Sequence, residues 1–216
     1  MAGKLTVTPS QTVGPFFHLA LDRPEWADLA SGSPVGERIV VEGQVTDGDG
    51  AAVADACLEL WQANAAGRYA HPDDTRTDAA LDPNFRGFGR VSTGADGGFR
   101  FTTIRPGAVP GRGNALQAPH IAVAIFARGL LKQLYTRIYF AGENANDSDP
   151  VLQSIDDPAV RRTLIATRHD GPGPPTYRFD IDLQGARETA FFEFKPRLAP
   201  PAFTASARHR PRYSAR

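Results

Sequence analysis

The sequence predicts an all-β fold, an antiparallel β-sandwich with long loops and a short helix. Two-residue periodicity dominates its middle, and Gly- and Asp-rich turn signals separate the periodic runs. Two longer Gly/Pro/Asp-rich stretches match neither strand nor hairpin loop. The 216 residues include 21 Gly and 18 Pro, with 41% hydrophobic and 22% charged residues, the composition of one globular, loop-rich domain.

The elements follow in chain order. Pro24 to Leu29 carries a weak signal for a short helical turn. Ile39-Val40-Val41-Glu42-Gly43-Gln44-Val45 reads as a strand running into the turn Asp47-Gly48-Asp49-Gly50. In Cys57–Gln62, Leu58 and Leu60 fall on one face while Glu59 and Trp61 fall on the other. Gly89–Thr93 and Phe99–Ile104 flank Ala95-Asp96-Gly97-Gly98, a second hairpin signal. His120–Phe126 and Leu134–Phe140 are more continuously apolar, as strands covered on both faces would be. Asp156-Asp157-Pro158 starts a helix over about 158–167, with Val160, Leu164 and Ile165 as its apolar stripe. Tyr177–Leu183 alternates strictly, and Thr189–Phe194 closes a set of roughly eight strands.

Composition excludes several functions. Cys57 is the single cysteine, so neither an intrachain disulfide nor a thiolate metal cluster is expected. No apolar run approaches about 18 residues and the N-terminus lacks an apolar signal core; a cytoplasmic protein with no membrane partner is expected. Charges balance at 24 against 24, but unevenly. After Glu193 there are six basic residues and no acid, so 18 bases face 24 acids in residues 1–194. The basic Pro/Ala-rich extension 195–216 reads either as a nucleic-acid arm or as a solvated or subunit-crossing tail. With no nucleic-acid-binding fold beside it, no nucleic-acid partner is expected.

No nucleophile elbow, P-loop, H-E-x-x-H helix or dinucleotide fingerprint is present. The long stretches 63–87 and 106–119 are where function is expected. Tyr69 and His71 stand together in the first, and His120 begins a strand just after the second. Phenolate and imidazole suit a ferric ion, although one Tyr and one His fifty residues apart are more often packing groups.

Several segments sharpen this. Leu58-Glu59-Leu60-Trp61-Gln62-Ala63-Asn64-Ala65-Ala66-Gly67-Arg68-Tyr69, Leu81–Arg90, Thr103-Ile104-Arg105-Pro106-Gly107, Ala118-Pro119-His120-Ile121, Arg137-Ile138-Tyr139-Phe140 and Tyr177–Ile181 occur in the order found in intradiol ring-cleaving dioxygenases. With Thr8–Phe17, the resemblance to this family spans residues 8 to 194. It implies a domain over 1–194 with an N-terminal arm over 1–20. It also implies a non-haem Fe(III) site of two tyrosines and two histidines.

Tyr69 falls on the first tyrosine position and His120 on the first histidine position. The second tyrosine position holds Val109 and the second histidine position Ala122, while the family's active-site arginine is Gln117 here. Val109 and Ala122 offer no donor atom, so Tyr69 and His120 are expected to be vestiges and no catalytic residue is expected in this chain alone. The branch of the family acting on 3,4-dihydroxybenzoate (protocatechuate) pairs an iron-bearing β chain with an iron-free α chain, and this sequence resembles the latter. The implied partners are a homologous β subunit holding the iron, protocatechuate and O2. The implied product is 3-carboxy-cis,cis-muconate. Thr12, Gly14, Pro15 and Arg128 match α-chain positions at the partner's substrate pocket. Two other readings stand beside this one: a self-contained site in which His71 joins Tyr69 and His120, and a purely structural subunit.

Overall fold

A computed structural model describes residues 9–14 and 17–193. Strands dominate: β1 (Arg38–Thr46), β2 (Cys57–Trp61), β3 (Phe88–Ser92), β4 (Gly98–Ile104), β5 (Val109–Pro110), β6 (Leu116–Gln117), β7 (His120–Phe126), β8 (Leu134–Phe140), β9 (Ile165–His169), β10 (Thr176–Arg178) and β11 (Ile181–Asp182). Short helices α1 (His18–Leu21), α2 (Pro150–Gln153) and α3 (Pro158–Arg162) accompany them. The expected turn after Pro24 is a 3-10 turn over Pro24–Trp26.

All strands except β5 and β6 belong to one sheet, in the order β11-β1-β10-β9-β8-β7-β2-β3 with β4 on β1. Its edge strands β3 and β4 approach each other, so the sheet nearly closes. It is mixed rather than antiparallel: β1 runs parallel to β10 and β11, and β8 parallel to β9. Neither turn signal joins a ladder of sequence neighbours. β1 pairs with β4, and β3 with β2. The Ala95–Gly98 turn is a corner that lets Val91, Phe99 and Phe101 fill one core.

That core forms because each strand sends alternate residues inward. Ile39, Val41 and Val45 of β1, Leu58 and Leu60 of β2, and Ile121, Val123 and Ile125 of β7 are buried. The opposite face of β7 is half-buried apart from His120, and β8 is buried on both faces only over Ile138-Tyr139-Phe140. This is less cover than the apolar runs suggested. A smaller cluster of Ala118, Tyr139, Leu152 and Leu164 lies apart from the main core.

Three expected elements change. The helix after Asp157 stops at Arg162, and Ile165–His169 is strand β9, because Tyr139 donates its N–H to the Leu164 carbonyl and the chain continues along β8. The strand expected over Tyr177–Leu183 is broken at Phe179-Asp180, although β10 and β11 keep one register against β1. Gly43 faces that break; a Cβ there would stand 1.7 Å from the Phe179 carbonyl oxygen, so only glycine admits this approach. Residues 189–193 form no strand, although Thr189 and Phe192 donate main-chain bonds to Asp182 and Tyr135. Phe194 and the extension 195–216 lie outside the described residues.

Candidate functional site: a cleft at Tyr69 and an N-terminal clasp

The site grows from the face of the sheet turned away from the main core. Register places Trp61 opposite Ala122, and Ala122 opposite Arg137, in one row across β2, β7 and β8. His120 lies opposite Tyr139 in the neighbouring row. Cross-strand partners share a face, so Trp61, His120, Ala122, Arg137 and Tyr139 all project to the same side.

The long loop after β2 brings Tyr69 onto that face. Asn64 shapes it: its Oδ1 accepts the N–H groups of Ala66 and Arg68, and its Nδ2 donates to Ala80 O. Gly67, at φ +76°, completes the turn, and a Cβ there would stand 2.0 Å from the Ala108 carbonyl oxygen. Asp74 accepts the Tyr69 N–H at 2.8 Å and pairs with Arg76 at 2.6 Å. That guanidinium holds the Asp74 carboxyl well below the usual carboxylate range. The Tyr69 ring then stacks on Trp61, 5.7 Å between centroids and 7° between planes. Trp61, Tyr69, His71, Arg76, Val109 and Pro110 help line a cleft of about 530 Å³.

Tyr69 and His120 are poorly prepared for a cation. Burial raises the Tyr69 phenol above its usual pKa, against the lowering fields of Arg137 and Arg76, which keeps it protonated. His120 is buried, with Nδ1 2.8 Å from Ala118 O. Burial and the Arg137 charge push its pKa down to about 4, so the ring is neutral. Val109 is buried in β5 opposite Gln117, and Ala122 adds only a methyl group. His71 lies half-exposed, edge-on to Trp61, and its Nδ1 accepts the Asp73 N–H at 3.2 Å.

Arg137 is the residue that sequence reasoning missed. Its Nη1 donates to Gln117 Oε1 at 2.6 Å and to the Tyr139 hydroxyl at 3.2 Å. Tyr139 donates in turn to the fully buried Asp149, which also accepts N–H bonds from Ala118, Val151 and Leu152. A fixed guanidinium beside one protonated phenol and one imidazole repels a ferric ion, and two donor side chains are absent. These residues do not fit the metal.

The substrate-pocket candidates gather elsewhere, on the loop between β7 and β8. The Thr12 hydroxyl donates to Ala127 O at 3.2 Å and accepts the Gly129 N–H at 3.0 Å, bracketing Arg128. Arg128 is largely exposed and forms an ion pair with Asp55. Gly14 is exposed, with open space where a Cβ would stand. Pro15 lies outside the described residues. Asp55 carried no sequence signal.

A dioxygenase family model matches residues 13–185. The chain belongs to the intradiol ring-cleaving dioxygenase family. It is 42% identical over 202 residues to the protocatechuate 3,4-dioxygenase alpha chain of Pseudomonas putida, covering 88% of this chain and 98% of that one. It is also 42% identical over 167 residues to the beta chain of the Burkholderia cepacia enzyme, covering 74% of this chain and 70% of that one. Among solved structures, the dioxygenase domain of a carbohydrate-binding fusion protein from Streptomyces sp. SirexAA-E superposes with a TM-score of 0.57 at 31% identity, covering 83% of this chain and 99% of that one. Two of the four positions where the sequence resembles the family's metal-binding pattern retain a donor in this intradiol chain.

Proposed function

We propose that this chain is the iron-free α subunit of a protocatechuate 3,4-dioxygenase, and that it works in the cytoplasm with a homologous β subunit that holds Fe(III). The observation that carries the reading is the depleted pocket of Tyr69, Val109, His120 and Ala122 in a chain 42% identical to an α chain over 88% of its length. The reaction is cleavage of 3,4-dihydroxybenzoate between its hydroxyl-bearing carbons, with both atoms of O2 entering the product, 3-carboxy-cis,cis-muconate. Bound in the partner, ferric iron supplies Lewis-acid polarisation and a template for the substrate.

The work of this chain is recognition. Arg128 presents a guanidinium to the substrate carboxylate, a pairing that suits its forked geometry. Thr12 holds the backbone that carries Arg128. Gly14 and Pro15 bring bare main chain to the pocket wall, the arm over 1–20 being part of a β-sandwich domain over 1–194. Co-expression with a β-chain homologue tests the proposal: the pair cleaves protocatechuate with iron on the β chain, and the α chain alone does neither. Iron bound stoichiometrically by the α chain alone would sink it.

The Arg128–Asp55 ion pair favours a second reading, in which Arg128 only stiffens its loop and the chain is purely structural. Substitution at Thr12 separates the two.

A further inference from the structure

Arg137 is half-buried, yet it has no acidic partner among the described residues. Its Nη1 is bound to Gln117 and Tyr139, both neutral, and its remaining nitrogens have no acceptor among the described residues. It sits 6.0 Å from the Phe192 ring centroid. Half-burying a cation against neutral groups costs free energy that an anion would offset.

Beside Arg137 is a recess of about 420 Å³, which shares Pro110 with the cleft at Tyr69. Arg112, Gln117 and Ser154 also line it, Pro110, Pro150 and Val151 form apolar walls, and no acid is among its lining residues. Gln117 is fixed by donating its Nε2 to Pro110 O at 3.0 Å, leaving its Oε1 on Arg137. Asp149, linked to Arg137 through Tyr139, is fully buried and already saturated by three N–H groups and that hydroxyl. It does not face the recess as a competitor.

We propose that this recess binds a small organic carboxylate, with Arg137 as its anchor and the exposed Arg112 as a second cation. A guanidinium with free donors recognises a carboxylate, and the proline and valine walls favour an apolar body over a naked inorganic anion. The site belongs to this chain alone and stands or falls independently of the proposed partner subunit.

Isothermal titration of the full chain with benzoate tests it, with inorganic phosphate and catechol at equal ionic strength as comparison probes. Benzoate binds saturably at one site per chain, and phosphate and catechol each bind at least about tenfold more weakly. Arg137→Gln weakens benzoate by about tenfold or more, while Arg137→Lys, which keeps the charge and loses the fork, weakens it by less than Arg137→Gln does. Should Arg137→Gln fail to fold, Arg112→Gln at the exposed rim is expected to weaken benzoate by about threefold or more. Absence of saturable benzoate binding overturns the proposal. So does affinity unchanged in Arg137→Gln, or, where that variant does not fold, in Arg112→Gln. Phosphate binding as tightly as benzoate overturns the assignment to an organic acid.

Discussion

The hydroxyl of Thr12 holds the main chain on both sides of Arg128. One hydrogen bond goes out to the Ala127 carbonyl and one comes in from the Gly129 amide. The two residues are 116 positions apart in sequence and meet only because the N-terminal arm crosses the loop between β7 and β8. Arg128 is tied from the other side by Asp55. An arginine held at backbone and side chain is oriented before any partner arrives, which lowers the ordering cost of recognition.

Thr12→Val keeps the shape of the side chain and deletes the clasp. In the co-assembled enzyme, kcat/KM for protocatechuate is expected to fall about tenfold or more, while Thr12→Ser stays within about twofold. Steady-state oxygen uptake measures both. A Thr12→Val enzyme within twofold of the parent would leave the arm a structural role only.

Asp55→Ala leaves Arg128 without its ion partner. Arg128 is largely exposed, so solvent screens the pair and the cost to folding is expected to be about 0.5–1 kcal/mol. Urea unfolding of the isolated chain measures it. A loss above about 2 kcal/mol would mean that Asp55 anchors more than this arginine.

Where motif and alternation agreed, the fold was legible: β2, β4 and β7 fall where their inward Leu, Phe and Ile residues point. Long-range pairing was not legible. Turn chemistry at Asp47–Gly50 and Ala95–Gly98 is local, whereas the choice of β4 over β2 as the partner of β1 depends on closing a common core. Val160, Leu164 and Ile165 matched a helical stripe, yet β-branched Ile165 continues as strand because it pairs with β8. At the cleft, the sequence showed Tyr69 and His120 as possible donors and Val109 and Ala122 as side chains without one. Arg137 was not legible, because a lone arginine in an apolar run gives no sign of which residues it faces; only the register against Ala122 puts its charge on the face of the cleft. The Thr12 clasp was invisible because it is a contact between segments more than a hundred residues apart.

Gly67 governs how Tyr69 reaches its place. Its φ of +76° already disfavours other residues, and a Cβ would meet the Ala108 carbonyl oxygen at 2.0 Å. Gly67→Ala is therefore expected to cost about 2 kcal/mol or more. It should also disturb the Trp61–Tyr69 stack. Denaturant unfolding and near-ultraviolet circular dichroism report the two effects, and an unperturbed, equally stable variant would contradict this loop geometry.

His120 makes stability acid-sensitive in a defined window. Burial holds the folded pKa at about 4, below the ordinary value of 6.5. Between those values the unfolded chain binds a proton that the folded chain refuses. The contribution is thus complete above pH 6.5 and is lost as pH falls toward 4, where the loss approaches about 3 kcal/mol. His120→Gln keeps a donor for the Ala118 carbonyl and cannot titrate. Urea unfolding of both proteins at pH 7, 5.5 and 4 isolates the effect, since carboxylates common to both cancel in the difference. The parent is expected to lose stability relative to His120→Gln as pH falls, most steeply below pH 6. Parallel curves would mean that the folded chain accepts the proton and that burial does not hold His120 neutral.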